Sequence, residues 1–165
     1  MSDSAETPSD SRGLVPSSKR PHIVVGVDGS DASIVSLRQA AKLVTAYGGS
    51  VEAVNVWEYP ASVIGYFPPD WSASADAGKI LSDAIGAVFG DAPPVWVEQT
   101  VVEGSPSKEL VRLSKDADLL IVGSRGHGGF TGLLLGSVSS VCAEYSSCPT
   151  LVMHGDRLFG PESAK

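Results

Sequence analysis

The sequence predicts an α/β protein built on a single doubly wound, five-stranded parallel sheet of order 3-2-1-4-5 with helices on both faces. Three observations lead there. Apolar runs such as HIVVGV at 22–27, ADLLIVG at 117–123 and PTLVM at 149–153 are too short and too β-branched for helices. The longer segments between the runs repeat their apolar residues with helical period. The two kinds of segment alternate from end to end, with no two strands in succession, and such alternation gives a parallel sheet with right-handed crossovers.

The elements follow in order. HIVVGV is the first strand, and Asp28-Gly29-Ser30 turns the chain, with Ser30 placed to cap a helix. Leu37, Ala40, Ala41 and Val44 lie at i, i+3, i+4, i+7 on that helix, which Gly48-Gly49 ends. VEAVNVW at 51–57 is the second strand, and EYPASVIGYFPPDW at 58–71 reads as a loop. Ile80, Leu81, Ala84, Ile85 and Val88 form the next stripe, weakened by Gly78 and Gly86. VWVEQTVV at 95–102 is the third strand. Ser105-Pro106 then makes an N-cap and first-turn pair for a helix bearing Leu110, Leu113 and Ala117. DLLIVG is the fourth strand, and a glycine-rich loop runs from about 124 to 136. Val138, Val141, Cys142 and Tyr145 share one face of the fourth helix, and PTLVMH is the last strand. One domain is expected over residues 21–155. Residues 1–20, rich in Ser, Pro, Asp and Glu, are expected to be a disordered tail, and 156–165 a frayed end.

Composition narrows the function. No apolar run approaches the roughly 20 residues that cross a bilayer, and the first 20 residues have no apolar stretch behind their basic residues, so no secretory signal is read. A cytoplasmic protein is expected. A formal net charge of −7 disfavours nucleic acid and anionic lipid as partners. Any polyphosphate must therefore be held by local backbone N–H groups. Cys142 and Cys148 make neither a disulfide framework nor a four-ligand zinc site, and His22, His127 and His154 are scattered. No metal centre is expected.

The chemistry concentrates in Val122–Val138. Five glycines lie between 123 and 132, and Gly136-Ser137 opens a helix. Glycine admits positive φ and close backbone approach, successive N–H groups can form an anion nest, and the helix start favours a phosphate. Ser137 adds a hydroxyl, and Arg125 is the one basic side chain of the loop. Such loops also serve as plain turns, and Asp28 next to Gly29 has a turn reading as well. Ligands of doubly wound sheets sit beyond the strand ends where the winding reverses. For order 3-2-1-4-5 that point lies between strands one and four, which end at Asp28 and Gly123. There is no G-x-x-x-x-G-K-[S/T], and no G-x-G-x-x-G follows the first strand.

The spacing Gly123-x2-Gly126-x9-Gly136-Ser137, with IVVGVDGS, VEGSPSKEL and the closing CPTLVM, resembles the ATP-binding signature of universal stress proteins over about residues 21–154. The resemblance implies that Asp28, with Gly26 and Val27, meets the nucleoside and that Val56 contacts adenine. Val122, Gly123, Arg125 and Gly126 match residues lining ribose and phosphates, and Gly136, Ser137, Val138 and Ser139 match the phosphate-holding helix start. It also implies ATP with Mg²⁺, and a homodimer formed through the last strand at the sheet edge.

No G-x-S-x-G nucleophile elbow, S-G-G-x-D-S or H-x-G-H motif is present, so a dedicated enzyme is not expected, and weak hydrolysis of bound ATP is the most the site suggests. The resulting expectation is an ATP-dependent stress-response switch acting on an unidentified protein partner. Two alternatives stay open: an interaction protein that binds no nucleotide, and a binder of another adenine nucleotide such as cAMP.

Overall fold

A computed structural model describes residues 20–59, 72–126 and 135–155. Nine elements alternate along them: β1 (His22–Gly26), α1 (Asp31–Tyr47), β2 (Ser50–Trp57), α2 (Ala73–Phe89), β3 (Val97–Glu103), α3 (Pro106–Leu113), β4 (Leu119–Gly123), α4 (Ser137–Tyr145) and β5 (Thr150–Met153). The strands form one parallel sheet in the order β3-β2-β1-β4-β5. The expected tails at 1–19 and 156–165, most of the 58–71 loop and residues 127–134 of the glycine-rich loop lie outside the described residues.

Both faces of the sheet are covered at its centre, which is why β1 and β4 read as continuous apolar runs, while the edge strand β3 carries exposed Glu98, Gln99 and Glu103. Ile23, Val25 and Val27 of the first strand and its exit pack with Leu37, Ala40 and Val44 of α1 and Leu81, Ala84 and Ile85 of α2. Val24, between them, faces the other way with Val54, Leu120 and Val122, against Leu110 of α3 and Cys142 of α4. One strand residue therefore feeds one core and its neighbour the other, as the two-residue period of a strand requires.

The helix ends follow their local chemistry. The Ser30 hydroxyl accepts from the Ser33 N–H at the start of α1, and the Gly48 N–H closes its end onto the Val44 carbonyl. Gly49 sits at φ +116°, and an added Cβ there would strike the Pro21 carbonyl oxygen, to which the Ser50 N–H donates at 3.0 Å. That turn needs glycine for its dihedral and its space together.

Four side chains depart from the sequence reading. Ile80 is 38% exposed, while the rest of the expected α2 stripe holds: Leu81, Ala84 and Ile85 are buried, Val88 packs against the same core, and Ala77 extends the stripe one turn before Leu81. Val95 is fully exposed and precedes β3, whose ladder begins at Val97. Ala117 falls beyond α3, which stops at Leu113, so it packs from the turn leading into β4. Tyr145 projects from the last turn of α4, and Ser139 and Cys142 are the buried residues of that helix. Among the described residues no helix is long and apolar enough to cross a membrane.

Burial pushes the Cys142 thiol up from 9.0 to about 11, while Cys148, half-buried, is raised mainly by desolvation. The thiolate is the nucleophile, so alkylation by iodoacetamide at pH 8 should modify Cys148 well before Cys142, as read by peptide mass mapping. Leu37 and Leu81 have no exposed surface, and Leu81→Ala should lower the unfolding free energy by about 2–5 kcal/mol in urea denaturation. A loss below about 1 kcal/mol would show that α2 does not carry the core as described.

Candidate functional site

β1 continues one residue past its ladder to β2: the Val27 N–H donates to the Val54 carbonyl at 2.8 Å, and the chain then turns away at Asp28. On the other side of the winding reversal, β4 ends at Gly123 and leads through Ser124 and Arg125 to Gly126. A crevice of about 460 Å³ opens between these two exits. Its lining falls into an apolar set and a polar set. Val54 and Val56 of β2, Val122 of β4 and Pro106 and Leu110 of α3 make up the first. Asp28, Ser30, Arg125 and Gly126, with the start of α4 at Gly136, Ser137, Val138 and Ser139, make up the second. Gly26, Val27 and Gly123 form the floor, where the strands end. All twelve residues singled out in the sequence thus border one crevice.

The glycines serve space rather than dihedral freedom. Gly123, Gly126 and Gly136 are absent from the glycines at positive φ, which among the described residues are Gly29, Gly48, Gly49, Gly90 and Gly104. Of the two reasons the sequence offers for these glycines, positive φ does not apply at these three positions and close approach does. A Cβ on Gly123 would lie 2.9 Å from Ala32 Cβ and 3.1 Å from the Ala32 carbonyl carbon, so Gly123 lets β4 pass under the first turn of α1. A Cβ on Gly126 would collide with Oδ2 of Asp28, so this glycine holds open the gap beside the carboxylate. At Gly136 the contact is milder, 3.3 Å from the Ser124 carbonyl oxygen.

That carbonyl clasps the loop. It accepts from the Gly136 N–H at 2.7 Å and lies 3.1 Å from the buried Ser139 hydroxyl, while the Ser124 N–H donates to the Met153 carbonyl at 2.6 Å. The chain leaving β4 is thereby tied back to the start of α4. Gly136 caps α4 without a side-chain acceptor, so the first-turn N–H groups of Ser137, Val138 and Ser139 have no side-chain cap. They begin at the crevice, with the positive end of the helix dipole. Ser139 contributes a backbone N–H there, since its hydroxyl is committed to the Ser124 and Gly136 carbonyls.

Asp28 combines a turn role with an open one. Its Oδ1 accepts from the Ser30 N–H at 3.0 Å and from the Ser30 hydroxyl at 2.5 Å, an Asx-type turn that sets the entry to α1. No donor among the described residues reaches Oδ2, which faces Gly126. A hydroxyl-bearing ligand in the crevice would meet an acceptor that none of the described residues uses.

Sequence reading missed Ser30, Ser33, Val54, Pro106, Leu110 and Leu135 among the residues bordering the crevice. Ser30 and Pro106 were read as helix starts and Leu110 as core, and they are these things too. Asn55 was missed altogether. It is 6% exposed, and its Nδ2 donates to the Val27 carbonyl at 2.8 Å. An amide in the middle of an apolar strand was the available signal, since a buried polar group implies a partner.

The model of the universal stress protein family matches residues 19–154. The chain belongs to the universal stress protein family. A universal stress protein of Mycolicibacterium smegmatis is 34% identical over 132 residues, which cover 79% of this chain and 45% of that one. The chain thus spans about half the length of the curated universal stress proteins it matches. Among solved structures, UspA of Lactobacillus plantarum superposes with a TM-score of 0.65 at 20% identity, covering 82% of this chain and 99% of that one. A universal stress protein in complex with cAMP superposes with a TM-score of 0.54 at 28% identity, covering 82% and 97%. The five-stranded 3-2-1-4-5 sheet with four helices is the universal stress protein fold.

The two signature glycines should separate in experiment. Gly123→Ala forces β4 away from α1 and should cost about 1–3 kcal/mol of stability by urea denaturation. Gly126→Ala meets only the exposed Asp28 carboxylate and should stay within about 0.5 kcal/mol of the parent. Equal losses would contradict the division between a packing glycine and a site glycine.

Proposed function

We propose that this universal stress protein binds ATP in the crevice between β1 and β4 and works in the cytoplasm as a nucleotide-dependent switch in a stress response. The observation that carries the reading is the mixed lining of the crevice. Its apolar part is made by valines on two strands and by Pro106 and Leu110, which suits a flat base. The helix start suits phosphates, and the Asp28 Oδ2 suits ribose hydroxyls. Val56 supplies the base wall on β2. Val122, Gly123 and Arg125 line the ribose and phosphate path, and Gly126 leaves the gap beside Asp28 into which the sugar fits.

The residues fit the nucleotide on chemistry as well as shape. In a chain of net charge −7, uncapped N–H groups and a helix dipole provide local attraction that the overall field does not. Among the described residues no group of three or more His, Cys, Asp and Glu is arranged to hold a metal ion, so Mg²⁺ would enter on the triphosphate. Bound ATP would bridge the exit of β4 and the start of α4, the two ends of the 124–136 loop, and bias the surface that a partner protein meets. The Ser30 hydroxyl beside the Asp28 carboxylate belongs to the turn into α1, and the reading is one of binding, with at most slow ATP hydrolysis.

Two further parts belong to this reading. β5 is an edge strand, pairing with β4, and its partly buried Thr150–Val152 edge is where a second copy of the chain would add. A monomeric mass at micromolar concentration in sedimentation would contradict that homodimer. The cAMP complex of a 28% identical family member supports a second ligand reading, in which a cyclic monophosphate takes the same base and ribose positions.

Thermal and urea unfolding with ATP and Mg²⁺, AMP and cAMP tests these readings together. A ligand at one hundred times its Kd adds about 2.7 kcal/mol of stability. ATP should stabilise more than AMP because the helix start is used, and Gly126→Ala should fold normally and lose most of the gain. A larger gain with cAMP than with ATP would favour the second reading. No gain with any adenine nucleotide, in protein freed of bound ligand, would leave the fold as an interaction module.

A further inference from the structure

We propose that Asn55 is a positioning residue of this nucleotide site, aiming the Asp28 carboxylate at the ribose; the inference rests on the reading above. Asn55 lies on β2 between Val54 and Val56, both of which border the crevice. Its side chain points to the opposite face of the sheet from theirs, the face of α1 and α2, as the strand period dictates. It therefore does not touch the crevice, and it is absent from the residues bordering it. Its reach is through the backbone.

Val27 is the last residue of the first strand before the chain leaves the sheet, and both of its backbone polar groups are held by β2. Its N–H donates to the Val54 carbonyl at 2.8 Å, continuing the parallel pairing beyond Gly26 and Val54. Its carbonyl has passed the end of that pairing and accepts from Asn55 Nδ2, also at 2.8 Å. The Val27 carbonyl and the Asp28 N–H belong to one rigid peptide plane. Holding that carbonyl fixes the plane from which the Asp28 Cα, and then its carboxylate, departs. The second constraint on Asp28 is the Ser30 turn at Oδ1. With the peptide plane and Oδ1 both fixed, Oδ2 is left directed at the gap that Gly126 keeps open.

Burial makes the arrangement demanding. An apolar residue would be ordinary at a 6% exposed position in mid-strand, and a buried amide is costly unless it is bonded. An Asn placed one residue before the base wall, with its amide on the carbonyl one residue before the ribose acceptor, links the two halves of the site across adjacent strands. Its removal should loosen Asp28 while Val56 and the start of α4 stay in place.

The test compares ATP with 2′,3′-dideoxy-ATP, which lacks the ribose hydroxyls, by calorimetric titration of the wild type and Asn55→Leu. The wild type should prefer ATP by about tenfold, the size expected for hydrogen bonds to a carboxylate. Asn55→Leu should weaken ATP by about the same factor, leave dideoxy-ATP within about twofold, and so erase the preference. Urea unfolding of each protein confirms that it is folded. If the leucine variant does not fold, Asn55→Ser, whose hydroxyl is too short to reach the Val27 carbonyl, carries the same comparison. Equal weakening of both nucleotides means that Asn55 has only a structural role and overturns the inference while leaving nucleotide binding standing, as does unchanged ATP affinity. A wild type that binds neither nucleotide, or does not distinguish them, overturns the assignment of Asp28 to the ribose and the inference with it.

Discussion

The structure depends on one constraint, the reversal of winding between β1 and β4. The chain moves outward from β1 through β2 to β3, then crosses back to lay β4 on the other side of β1. Two helices consequently cover each face, and the carboxyl ends of β1 and β4 lead their connections in opposite directions. The backbone must part there, which makes the crevice a product of topology before any side chain is chosen. What the side chains decide is whether the gap is filled or kept.

Most of them keep it. Gly126 withholds a methyl group from the space beside Asp28, and Gly136 begins α4 without a side-chain cap. The clasp of Ser124 on Gly136 and Ser139 ties the long excursion after β4 at its base, so the helix start is held against the strand ends. Gly123 acts differently: it allows β4 to run under the first turn of α1, and without that approach the crevice floor would be displaced. One short motif therefore mixes residues that build the scaffold with residues that preserve the opening, and a substitution at each has a different consequence.

The fold was legible because the central strands β1 and β4 are buried on both faces, leaving apolar runs that contrast with the helical period between them. The crevice ends at Asp28 and Gly123 and the glycine-rich loop were legible as local signals, whereas Val56 and the individual roles of the twelve candidate residues came from the family resemblance that the glycine spacing carries. What was not legible was geometric. On α2 the stripe through Leu81, Ala84, Ile85 and Val88 was legible, but Ile80 at its margin is exposed and Ala77 is buried, a choice made by packing against β2 and β3. Val95 resembles a strand residue but precedes the first paired one. Which of the two reasons for the signature glycines applies, positive φ or close approach, was not legible, because sequence shows the lack of a side chain and not the neighbour that forbids it. Leu110 and Asn55 stayed hidden because their roles come from contacts across elements, with Gly26 in one case and with the Val27 carbonyl in the other.

The central claim is that the β1–β4 crevice, with the start of α4, receives a nucleotide. Amide-resolved NMR during titration with ATP and Mg²⁺ tests it most directly, because it reports location as well as binding. The account predicts that the largest shifts fall on the amides of Asp28, Val56, Gly123–Gly126 and Ser137–Ser139, while those of His22 and Ser50, at the opposite ends of the strands, stay still. Shifts confined to the opposite ends, or none at saturating nucleotide, would contradict it.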